Sequence, residues 1–134
     1  MSYYLDTSVL LRLLVDDSPA LHEVALEFID AARAAGSHMF VSDLVISEAY
    51  FALQHHYAAS KVDSIESLRR LLSEHEIRPS GHAGEILKLP GLANSKPGFV
   101  DRLLHAEAVH SQCKWVTFEK SAGKLPETLV LKRR

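Results

Sequence analysis

Five short β-type runs, the first four separated from one another by helical periodicity, leave few folds open to this chain. The runs are Tyr3-Tyr4-Leu5, Met39-Phe40-Val41, Glu76-Ile77-Arg78, Trp115-Val116-Thr117-Phe118 and Leu129 to Leu131. Between the first two lie a short apolar helix, Val9 to Val15, and a longer one from Ala20. The longer helix carries apolar residues at 21, 24, 25, 28, 29 and 32, a 3.6-residue stripe. Ser18 and Pro19 suit its start and Gly36 its end. Ser42 or Asp43 caps a helix that follows the second run. Ser60 with Asp63 resembles a capping box, opening a helix with Val62, Ile65, Leu68, Leu71 and Leu72 inward. The breakers Gly81, Gly84, Pro90, Gly91 and Pro97 surround one short helix near Ala83 to Leu89 in a variable connection. Phe99 to Gln112 is helical again. Such alternation predicts an α/β domain with a mainly parallel sheet of about four to five strands flanked by helices.

Four carboxylates stand out against apolar neighbours. Asp6 follows the first strand, Glu48 interrupts an apolar helix, Asp101 lies between Phe99-Val100 and Leu103-Leu104, and Glu119 closes the fourth strand. Burying an ionised carboxylate is costly unless it is paired or holds a metal. In open α/β sheets ligands gather at the carboxyl ends of strands, where Asp6 and Glu119 fall. Three of the acids also have an ordinary structural use. Asp6-Thr7-Ser8 can cap a helix, Asp101 can answer a helix dipole, and Glu119 can serve a turn. Glu48 has no Lys or Arg within a helical turn to pair with. The four together point to one acidic pocket for divalent cations.

Length and composition agree with a single domain spanning 1–134. The chain has 134 residues, 47% of them hydrophobic, enough for a core without staples. The N-terminus lacks a secretory pattern and no stretch is long enough to span a bilayer. The single Cys113 fits a reducing cytoplasm and reads as a small buried hydrophobe at a helix end. The net charge of −2 gives no global nucleic-acid signature. Lys120, Lys124 and the tail Lys132-Arg133-Arg134 can touch phosphates, although such charges more often form a solvated surface. The eight histidines show no zinc spacing, and the adjacent His55-His56 diverge on a helix. His105 alone, four residues after Asp101, shares that carboxylate's face.

An oxygen-only ligand set favours Mg²⁺ or Mn²⁺ over zinc. Two such ions roughly 3.5–4 Å apart activate water and steady the leaving oxygen in phosphodiester hydrolysis. Activity should then be strictly metal-dependent. An Asp-based phosphoryl-transfer domain is the other enzymatic reading. It needs a second carboxylate beside the nucleophile and an essential Lys, and Asp6 has only Thr7 and Ser8 after it.

The segments Tyr-Tyr-Leu-Asp-Thr-Ser-Val-Leu-Leu-Arg-Leu-Leu (3–14), Val-Ser-Asp-Leu-Val-Ile-Ser-Glu-Ala (41–49), Gly-Phe-Val-Asp-Arg-Leu-Leu (98–104) and Trp-Val-Thr-Phe-Glu-Lys (115–120) resemble, in order, the four signatures of the PIN domain. The nearest likeness is to the VapC-type toxins of bacterial type II toxin–antitoxin systems. The resemblance implies a PIN-like three-layer sandwich and a Mg²⁺- or Mn²⁺-dependent ribonuclease. Asp6, Glu48, Asp101 and Glu119 would bind metal, with Asp6 and Asp101 central. Thr7 or Ser8 and Thr117 would hold water or carboxylates. It also implies RNA as substrate, a homodimer, and an antitoxin whose C-terminal segment covers the site. A housekeeping nuclease, or a PIN-like module that binds RNA without cutting, is the alternative. Members usually carry Asp where this chain has Glu119, and often Asn where it has Ser8. The longer Glu119 still reaches a metal or its water, and a weakened second site would make a one-metal or slow enzyme. The apolar helix surface around Tyr50, Phe51, Leu53 and Tyr57 is the expected dimer face.

Overall fold

The computed structural model describes residues 1–133; Arg134, the end of the basic tail, lies outside them. The chain runs β1 (Ser2–Tyr4), α1 (Thr7–Leu14), α2 (Pro19–Ala34), β2 (His38–Val41), α3 (Asp43–His55), α4 (Lys61–Glu74), β3 (Ile77–Pro79), α5 (Ala83–Leu87), α6 (Phe99–His110), β4 (Trp115–Thr117) and β5 (Thr128–Val130). Single 3-10 turns at Leu92–Asn94 and Lys120–Lys124 fill the remaining connections. All strand pairs are parallel; helices make the crossovers of β1, β2 and β3, and the Lys120–Lys124 turn lies between β4 and β5. The α/β class and the helix-separated strands read from the sequence are therefore present.

The strands divide into two sheets, one of three strands ordered β1-β2-β3 and one of two, β4-β5. In the larger sheet Tyr3, Met39 and Ile77 form one cross-strand row. Met39 and Ile77 are buried, and Tyr3 meets Phe28 of α2 edge-on at 5.1 Å. The next row, Tyr4, Phe40 and Arg78, is more open, and Tyr4 lies against Phe40 at 5.7 Å. The core gathers Leu10 of α1, Ile29 of α2, Met39 and Val41 of β2, Ile46 of α3 and Leu68 of α4. Burying side chains of this size contributes roughly 1.5–3 kcal/mol each. No helix among the described residues is long and apolar enough to cross a membrane.

Local chemistry fixes the boundaries. Ser42 caps α3 by accepting from the Val45 amide at 3.2 Å, and Ser60 caps α4 by accepting from the Asp63 amide at 3.0 Å. Gly36 takes φ +73° just past α2, a conformation that suits glycine. Four expectations change. Ser18 occupies the N-cap of α2 but makes no capping bond; Pro19, which has no N–H to satisfy, opens the helix. Val62 is 54% exposed, because the buried stripe of α4 begins at Ser64 and Ile65. The α2 stripe is only half covered: Ala25, Ile29 and Ala32 are buried, while Leu21, Val24 and Phe28 face outward. Cys113, beyond the end of α6, is exposed.

Candidate active site

Strand ends and helix starts place the four acids. Asp6 sits two residues past β1 at the N-cap of α1, and Glu119 two residues past β4 at the N-cap of the 3-10 turn. Asp101 is the third residue of α6 and Glu48 the sixth of α3. Asp6, Glu48 and Glu119 are exposed, and Asp101 is half-buried. The apolar neighbours in sequence thus do not bury these acids. On α3 the residues Leu44, Glu48, Phe51 and His55 share one exposed stripe, while Ile46, Ala49, Tyr50 and Leu53 turn into the core.

Hydroxyl groups orient three of the carboxylates. Thr7 Oγ1 donates to Glu48 Oε1 at 3.1 Å, tying the start of α1 to α3 across 41 residues of sequence. Ser8 Oγ donates to Asp6 Oδ2 at 2.8 Å, so Asp6 receives a hydroxyl and makes no capping bond with its side chain. Ser121 donates both its hydroxyl, at 2.8 Å, and its amide, at 3.2 Å, to Glu119 Oε1. Glu119 therefore does serve a turn, through one oxygen only. Thr117 Oγ1 accepts from the Glu119 amide at 3.1 Å, fixing the backbone there rather than the carboxylate.

These contacts pull the acidities apart. The Ser8 hydroxyl, assisted by the Thr7 and Ser8 amides, holds Asp6 below its ordinary pKa. The Ser121 hydroxyl and amide do the same for Glu119, with a smaller contribution from Lys96. Asp101 moves the other way: burial, then the charge of Glu119, raises it. A helix N-terminus alone would favour the charged form. Burial, and after it the charge of Glu119, opposes that effect.

Two hollows frame the pairs. Asp101 and Glu119 open onto one of about 600 Å³, shared with Lys61, Lys96, Phe51 and Ser121. Asp6 and Ser8 line another of about 630 Å³, between β1, α1 and the outward face of α2. Among the described residues no three His, Cys, Asp or Glu side chains form a group able to hold a metal ion unaided. The donor set is all oxygen, which suits a hard cation held by one or two carboxylates and completed by water and substrate phosphate. His105 is turned away: its Nε2 lies 2.7 Å from the Pro126 carbonyl oxygen, with the Trp115 ring 5.9 Å off.

Residues 3–127 match the family model described as PIN domain. The chain belongs to the PIN-domain family. Comparison with curated proteins and with solved structures returned no match. PIN domains are commonly metal-dependent nucleases. Sequence reasoning passed over Lys61, Lys96 and Ser121. Lys96 lies in the breaker-rich connection before α6, where spacing carries no signal. Ser121, two residues after Glu119, was readable as its hydroxyl partner by analogy with Ser8 after Asp6.

Proposed function

We propose that this protein is a Mg²⁺- or Mn²⁺-dependent ribonuclease, a single PIN-like domain acting in the cytoplasm as the toxin of a toxin–antitoxin pair. The observation that carries the nuclease reading is the Asp101–Glu119 pair, two acids from α6 and the end of β4 sharing a hollow with two lysines. A cation bound between two neighbouring carboxylates relieves both the burial of Asp101's charge and its repulsion from Glu119. Asp101 and Asp6 are the central ligands in this reading, with Glu48 and Glu119 completing the set. A bound divalent ion supplies an activated water and a stabilised leaving oxygen. Thr7 keeps Glu48 turned toward the start of α1, Ser8 fixes one oxygen of Asp6, and Ser121 fixes one oxygen of Glu119. Without a cation the carboxylates repel the phosphate at the point of cutting, so cleavage depends strictly on metal.

Cleavage of a pool of structured and unpaired RNA tests the reading. Wild type cuts with Mg²⁺ or Mn²⁺ and stops in EDTA, and Asp6→Asn or Asp101→Asn lowers the rate on the order of a hundredfold or more. Equal cutting by wild type and both variants sinks it. The toxin role rests on the ordered likeness of segments 3–14, 41–49, 98–104 and 115–120 to VapC-type proteins. It implies a homodimer and an antitoxin covering the site. Induced expression should arrest growth for wild type and not for Asp101→Asn. A second reading, an RNA-binding module that does not cut, is favoured by the lack of a three-acid group among the described residues. RNA binding with no metal-dependent cleavage would select it.

A further inference from the structure

The hollow beside Asp101 and Glu119 holds more than acids. Phe51 lines it and is 45% exposed. Its aromatic neighbours on α3 are Tyr50, with ring centroids 5.6 Å apart, and His55, 6.2 Å away with 24° between the planes, and the ring keeps an open surface beside them. Phe51 follows Glu48 by one helical turn on the same exposed stripe. Lys61 at the start of α4 and Lys96 before α6 line the same space. An aromatic face, two cations and a pair of acids in one open hollow match the parts of one nucleotide step: a base, its flanking phosphates and the metal-assisted cut.

We propose that Phe51 is a stacking platform for an unpaired base next to the scissile phosphate, with Lys61 and Lys96 holding the flanking backbone. The inference rests on the nuclease reading and deepens it by assigning a base-accepting subsite. A base inside a duplex has both faces covered by its neighbours, so Phe51 can receive only an unpaired or splayed one. The ring carries no hydrogen-bonding group, so the subsite selects for an unstacked face rather than for base identity. Lys61 and Lys96 offset the repulsion that Asp101 and Glu119 exert on the approaching strand.

The test uses the full chain with Asp101→Asn to silence cutting, a fluorescein-labelled ten-nucleotide RNA, and the same RNA annealed to its complement. Adding Phe51→Ala should weaken binding of the single strand roughly 5- to 150-fold, and Phe51→Trp should restore it. Lys61→Ala with Lys96→Ala should flatten the slope of log affinity against log salt by about 0.7 for each phosphate no longer neutralised. Wild-type cleavage is followed in parallel. If wild type cuts RNA while Phe51→Ala binds like its parent, the subsite is overturned and the nuclease stands. Duplex binding as tight as single-strand binding also overturns it. If wild type neither cuts nor binds RNA, the nuclease reading falls and the subsite with it. Because Phe51 is exposed, its variants should melt with their parent, which separates impaired stacking from an impaired fold.

Discussion

At the scale of single residues, the four acids differ in what surrounds them, and that difference is testable without substrate. Asp101 is the one whose charge the fold opposes, through burial and then Glu119. Its folded-state pKa lies above the ordinary 3.8, so the folded protein holds this proton more tightly than the unfolded chain. The resulting stability is complete below the unfolded value and is lost as pH rises through the raised folded one. Asp101→Asn removes that loss. Thermal melts without divalent ions should show the variant more stable than wild type at pH 7 and equal to it near pH 3. A variant less stable at pH 7 would contradict the raised value. Added Mn²⁺ should then stabilise wild type and not the variant, since only binding to the folded state shifts the midpoint. Thr7 offers a second test. Thr7→Val keeps the shape and removes the bond to Glu48 Oε1, and should lower metal affinity or cleavage about 10- to 100-fold. The placing of Asp6 and Glu119 just past strand ends was readable from their order along the chain. The exposure of Glu48 was not, because a helix with apolar residues at 44, 45, 51 and 52 can still present 44, 48 and 51 to solvent.

At the scale of elements, one acid that the sequence offers only as a helix cap joins two elements. Asp43, in the first turn of α3, accepts from the His82 amide at 3.0 and 2.9 Å and from the Ala83 amide at 2.9 Å, satisfying the start of α5. Gly81 makes room for it: a Cβ there would stand 2.5 Å from Asp43 Oδ2. Asp43→Ala leaves these part-buried amides without their acceptor and should cost about 1–3 kcal/mol. Gly81→Ala should cost a similar amount by expelling the Asp43 carboxylate, yet cost little once Asp43 is already Ala. Denaturant unfolding of the two single variants and the double variant measures this coupling. Additive losses would mean that Gly81 is not there to admit Asp43. The breakers at 81 and 84 identified a connection, whereas the reason for Gly81 lies 38 residues earlier in sequence, a relation visible only in three dimensions.

At the scale of the whole molecule, the elements were readable because short apolar runs and capped helical stripes each announce themselves locally. The division into two sheets was not, since pairing depends on which strands meet rather than on how each is composed. That division bears on the site. Asp6 follows the three-stranded sheet, whereas Glu119 follows β4 of the two-stranded one. The three-stranded sheet is anchored by Met39, Val41 and Ile77 in the core, while no residue of β4 or β5 is fully buried. The smaller sheet is tied to α6 by the contact of His105 with the Pro126 carbonyl and by the packing of its ring against Trp115. Few buried apolar contacts mean a low free energy of local opening. Hydrogen exchange should therefore release the Trp115 amide, bonded to the Glu127 carbonyl, well before the Leu5 amide, bonded to the Phe40 carbonyl. His105→Ala should speed exchange in β4 and β5 further while leaving protection across β1, β2 and β3 unchanged. If Glu119 acts with Asp101, the same substitution should also lower metal-dependent cleavage, because α6 carries Asp101 and the loosened sheet carries its partner. Uniform acceleration through both sheets would instead mean that the molecule opens only as one unit, and that His105 contributes to global stability alone.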